Sequence, residues 1–171
     1  MALVVGTDSY ITQTDATAYV AANYLTTSAE AIAWTALSSD NKDAALRKAC
    51  QTIDRLRLVG VKAVDLQTLE FPRAIRTDAP YIDRTKPGFA RYTNDWAVQT
   101  EVPEAVTEAQ VEEALQITIG APKRRKLQQQ GVKSFSLGNL SETYIGAAHT
   151  LISVEAKTLM RPYIAGTAML L

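Results

Sequence analysis

Apolar positions recur at helical spacing in five stretches of the chain. In the first, Ala16, Tyr19, Val20 and Asn23 follow Thr12-Gln13-Thr14-Asp15, a variant capping box with Thr12 as N-cap. This predicts a helix over 13–24, ended by the turn-prone run at 26–28. A second short helix over 29–37 carries Trp34, most simply a core anchor. Ser38-Ser39-Asp40 then signals a new start, with acid near the positive helix end. Leu46, Ala49, Cys50, Ile53 and Leu56 mark one face of it, while Arg47, Lys48, Asp54 and Arg55 fall largely on the other. The pattern predicts a helix from about 40 to 58, closed by Gly60. Pro103 opens a fourth helix, to about 119, from the favoured first-turn position. Its buried side is Val106, Val111, Ala114, Leu115 and Thr118, and Glu104, Glu108 and Glu112 stack as one acidic stripe. The last helix starts at Ser153 and stops by Pro162.

Three stretches break this pattern. Residues 61–102 show no clear period and hold Pro72, Pro80, Pro87 and Gly88, which predicts a long irregular loop. Gly131 to Tyr144 alternates hydroxyls with larger side chains around Gly138-Asn139, the signature of a two-residue hairpin. That register pairs Leu137 with Leu140, Phe135 with Glu142 and Lys133 with Tyr144 on one face. The other face pairs Ser136 with Ser141 and Ser134 with Thr143. A lone two-stranded ribbon is marginal in water, so its Phe135, Leu137, Leu140 and Tyr144 surface needs the helices or a neighbouring subunit. The apolar tail, with Tyr163, Ile164, Met169, Leu170 and Leu171, needs its own core or a partner groove, and docking is the reading preferred. The expected fold is mainly α: a small helical bundle with one β-hairpin near 131–145, a long loop and an extended tail. Residues 1–162 form one domain and 163–171 a docking tail.

Length and composition add bounds. With 171 residues the chain fits one domain, able to bury roughly 70% of its unfolded surface. Eighteen basic residues balance eighteen acidic ones, so no global charge drives binding to nucleic acid or anionic membrane. The neutral total hides a segregation. No acid lies between Glu113 and Glu142, a span that holds Lys123, Arg124, Arg125 and Lys126. One hypothesis joins this basic segment to the glutamate stripe across a subunit boundary; the alternative is two solvated surfaces. The single Cys50 allows no internal disulfide, which fits a reducing compartment, and it lies on an apolar stripe. The start, MALVVGTDSY, lacks the basic region of a signal peptide, and no run approaches a membrane span.

Candidate chemistry is sparse. One histidine, His149, and one cysteine cannot build a His- or Cys-rich metal site. No GxSxG, GxGxxG or GxxxxGK[ST] motif occurs. No catalytic residue, metal or cofactor is expected, and an enzyme is not the reading. The long loop does interleave Arg73, Arg76, Arg84, Lys86 and Arg91 with Tyr81, Phe89, Tyr92 and Trp96. Basic residues among aromatics suit single-strand binding, but Asp78, Asp83, Asp95 and Glu101 cancel most of the charge. The alternative is a loop that packs its rings on the helices.

The order of short motifs carries a resemblance across most of the chain. VVGTDSYITQTDATAYVAANY, Trp34, Ile53-Asp54-Arg55-Leu56, Leu69-Glu70-Phe71-Pro72-Arg73, Val102-Pro103-Glu104-Ala105-Val106, Gly131-Val132-Lys133-Ser134 and Arg161-Pro162-Tyr163 occur in sequence. This resembles tailed-phage head–tail connector proteins, also called adaptor or head-completion proteins. Closely similar sequences are often labelled DnaT-like single-stranded DNA-binding proteins. Phe71 stands where a Trp looks more typical, and 74–101 is longer than expected. The resemblance implies a structural virion neck protein, assembled in the host cytoplasm into a typically dodecameric ring. Its partners would be the portal, a stopper or tail-completion protein, other copies of itself and passing double-stranded DNA, with no membrane. The hairpin and the basic run would then serve subunit contacts, the glutamate stripe would line the extended DNA channel or lie at a subunit contact, and the tail would dock on the portal. The alternative is a DnaT-like single-stranded DNA-binding replication accessory protein.

Overall fold

The computed structural model describes residues 2–76, 96–120, 134–137, 140–143 and 152–165. Four of the five helices among the described residues begin with a hydroxyl N-cap. Thr12, Ser28, Ser38 and Ser153 precede α1 (Gln13–Asn23), α2 (Ala29–Ala36), α3 (Ser39–Asp54) and α5 (Val154–Met160). Each side chain accepts a backbone N–H three residues on, satisfying one donor that the first turn leaves unpaired. The exception is α4 (Glu104–Thr118), where Pro103 is itself the N-cap rather than the first helical residue.

Helix α4 is the axis of the bundle. It packs against α1, α2, α3 and α5, and every residue from Ala109 to Leu115 is buried. Two apolar clusters meet on it. One joins Trp34, Leu46, Val111 and Leu115 with Val20; the other joins Tyr10, Ile53, Phe71, Val106 and Met160. A helix enclosed on all sides also buries polar residues, which then need partners. Gln110 supplies them for itself: its Oε1 accepts from Tyr10 N–H (2.9 Å), and its Nε2 donates to Ser9 Oγ (2.8 Å) and Leu46 C=O (2.9 Å). Glu113 accepts from Ser153 N–H at 2.8 Å, placing a carboxylate at the start of α5.

Two expected boundaries move. Helix α3 ends at Asp54, not near 58, because the backbone after it pairs elsewhere. Val59 N–H donates to Tyr163 C=O, Ala165 N–H donates to Arg57 C=O, and Leu58 bridges Ile164. The stretch expected to be irregular contains a three-stranded antiparallel sheet, β1 (Val61–Lys62), β2 (Arg73–Arg76) and β3 (Trp96–Val98), in the order β1-β2-β3. Strands of two to four residues are too short for alternation to register as a period. Gly60 does not cap α3; it enters β1 at φ +74°. A Cβ there would lie 2.1 Å from the Ala74 carbonyl oxygen, so only glycine lets β1 approach β2.

The hairpin pairs as its sequence predicts. Strands β4 (Ser134–Leu137) and β5 (Leu140–Thr143) pair Leu137 with Leu140, Ser136 with Ser141, Phe135 with Glu142 and Ser134 with Thr143.

Candidate nucleic-acid interface

The sheet is fastened from one face to the loops that lead into it. Arg73 points inward and is almost fully buried. Its Nε donates to Val59 C=O (2.7 Å), its Nη2 to Gly60 C=O (2.8 Å) and its Nη1 to both the carbonyl and the carboxylate of Glu70. The guanidinium also lies 5.8 Å from the Phe71 ring centre. Gln99 closes the other side, its Oε1 accepting from Arg73 N–H and its N–H donating to Arg73 C=O. Lys62 Nζ lies 3.5 Å from Glu70, so that carboxylate serves both cations.

Tyr10 joins the sheet's approach to α3. Its hydroxyl donates to Asp54 and accepts from the N–H groups of Glu70 (3.1 Å) and Phe71 (3.2 Å). Phe71 sits edge-on between Tyr10 and Tyr163, with centroids 5.9 and 5.3 Å away. Burial holds the Asp54 carboxyl above its usual range, and the nearby Glu70 charge adds to this against the Tyr10 bond. Burial, then Asp54, likewise pushes the Cys50 thiol up, so it carries no reactive thiolate.

The opposite face is open. The register places Val61, Ala74 and Val98 in one row across the strands, and Arg76 opposite Trp96 in the next. Directly paired residues share a face, as do residues two apart on one strand. Val61, Val98 and Trp96 are 54%, 58% and 45% exposed, and Arg76, paired with Trp96 across the strands, is also exposed. A half-exposed aromatic ring is a surface on which a nucleic-acid base can stack. Arg76 and Trp96 were both named in the basic and aromatic segment, but their partnership across twenty positions is visible only through the pairing. Tyr81, Arg84, Lys86, Phe89, Arg91 and Tyr92 lie outside the described residues, as does His149.

The other expected site residues scatter. Glu104 is exposed and Glu108 half-buried, but Glu112 is buried, so the three do not form a solvated stripe. Glu112 finds its partners in α1 and just beyond it: Tyr19 donates to one carboxylate oxygen (2.8 Å) and Tyr24 to the other. Burial, then the Glu104 and Glu112 charges, raise the pKa of Glu108. Tyr163 and Ile164 pack on the core beside Phe71 and Leu58. Phe135, Leu137 and Leu140 lie in the hairpin. Lys123, Arg124, Arg125, Lys126, Tyr144, Met169, Leu170 and Leu171 lie outside the described residues. Among the described residues no group of three or more His, Cys, Asp or Glu could hold a metal ion, and no helix is long and apolar enough to cross a membrane.

A family model described as "Putative DnaT-like ssDNA binding protein" matches residues 1–170. No curated protein and no solved structure matches the chain significantly. The family match corrects the expectation of a virion neck ring: it favours the single-stranded DNA reading held as the alternative and gives no support to the head–tail connector, virion and portal-binding assignments. The motifs behind that expectation are short and carry no chemistry of their own, so their order does not define a task.

Proposed function

The chain belongs to this DnaT-like family, and on that premise we propose that it binds single-stranded DNA on the open face of the β1–β2–β3 sheet. The observation that carries the reading is the exposed Trp96 ring paired across the strands with Arg76. A base stacked on an aromatic side chain contributes about 1–3 kcal/mol and needs no particular sequence, because every base has a π-face. Duplex DNA keeps its bases paired and stacked inward, so it offers this face no ring to stack on.

The test is fluorescence anisotropy with a labelled oligo(dT), with wild-type protein and Trp96→Ala. Among the described residues Trp96 belongs to neither core cluster, and the substitution is expected to leave the fold intact, which a circular dichroism melt of the variant checks. We expect it to weaken binding by about tenfold or more. Unchanged affinity, or equal binding to an oligonucleotide and its duplex, contradicts the proposal.

A further inference from the structure

The two rows of the open face are built differently, and the difference bears on what kind of strand fits. The second row offers the Trp96 ring. The first has a low centre: Ala74 is only 8% exposed, while Val61 and Val98 stand on the flanking strands. Adjacent strands lie about 5 Å apart, so the two valines wall a shallow apolar trough roughly 10 Å across with alanine as its floor. Along β2 the rows are two residues apart, roughly 7 Å.

Resting on the proposed function, we infer that this face seats two consecutive unstacked bases, one on Trp96 and the next in the Val61–Ala74–Val98 trough, without reading their identity. The row spacing selects the state of the strand. Successive bases in a helical stack rise by about 3.4 Å, half the interval between the seats. A stacked strand cannot fill both, whereas a strand drawn out of its stack can. The chemistry of the seats makes them indifferent to sequence. Valine and alanine side chains carry no hydrogen-bonding group, and the stacking face of Trp96 offers none. Base edges, where identity is encoded, find no donor or acceptor in the trough.

The experiment uses oligonucleotides of one length whose backbone is intact but abasic except for one thymine, two adjacent thymines, or two thymines separated by an abasic position. Charge is then constant and only bases vary. Binding is read by anisotropy and by quenching of Trp96 emission. A second adjacent thymine is expected to raise affinity about tenfold, and the separated pair is expected to give less of that gain. In Val61→Ala/Val98→Ala the gain is expected to vanish; both positions are exposed, so folding is not at stake. Replacing the thymine pair by adenines or cytosines is expected to change affinity by less than about fivefold. Equal affinity for one and two thymines, a gain that survives the double substitution, or a tenfold preference for one base overturns the inference while leaving the Trp96 reading standing. Absence of any Trp96 quenching with every oligonucleotide overturns both.

Discussion

At the scale of single residues, buried polar groups account for much of how this fold is specified. Asp54 shows the cost. Burial raises its folded-state pKa above the ordinary carboxylate value near 3.8. Between those two values the folded protein therefore holds more protons than the unfolded chain. Its contribution to stability falls as pH rises through that window and stays low above it. Asp54→Asn removes the titration, yet its amide oxygen can still accept from Tyr10. Urea unfolding between about pH 4 and about pH 7 should show wild type losing more stability with rising pH than the variant. Parallel pH profiles would refute the assignment. Glu112 and Gln110 make the same point from sequence. Both look like surface residues in any count of polarity, and one helical period does place Glu112 in line with Glu104 and Glu108. What the pattern lacks is the knowledge that α4 is surrounded, so that even its polar positions turn inward to Tyr19, Tyr24, Ser9 and Leu46.

At the scale of elements, what was legible follows the length of the signal. The helices announce themselves through hydroxyl caps and repeated apolar spacing, and the hairpin through its central Gly138-Asn139. The sheet does not, because β1, β2 and β3 together hold nine residues spread from Val61 to Val98. Its existence depends on contacts distant in sequence: Arg73 reaching Val59 and Gly60, and Gln99 answering Arg73. The end of α3 was misread for a related reason, since residues 57–59 pair with 163–165 instead of continuing the helix. Gly60 tests this account of the sheet. Gly60→Ala adds a Cβ at a positive φ and against the Ala74 carbonyl, and should cost about 2 kcal/mol or more in chemical unfolding. It should also weaken oligonucleotide binding, because β1 carries one wall of the trough. Wild-type stability in this variant would mean that β1 does not pack on β2 as described.

At the scale of the whole molecule, a chain with eighteen charges of each sign has no field that gathers nucleic acid indiscriminately. The proposed binding therefore rests on a local surface, the open face of the β1–β2–β3 sheet. Tyr10 ties Asp54 of α3 to the Glu70–Phe71 backbone that leads into β2, and Arg73 clasps Val59, Gly60 and Glu70, while Trp96, Arg76 and two valines are exposed on the other face. Arg76 and Trp96 were present in the sequence within a basic and aromatic segment, whereas Val61, Ala74 and Val98 carry no such signal. Their common face was not legible, because it is a property of strand register. The ring-forming neck protein suggested by motif order fell to the family match, which speaks for single-stranded DNA.

The most direct test of that claim uses the protein's own two tryptophans. Trp34 is buried and Trp96 is exposed, so they report separately. Intrinsic fluorescence titrated with oligo(dT) should show saturable quenching in the wild type. In Trp96→Phe the remaining Trp34 emission should stay constant. No quenching in the wild type, or the same quenching in the variant, would contradict single-strand binding on this face.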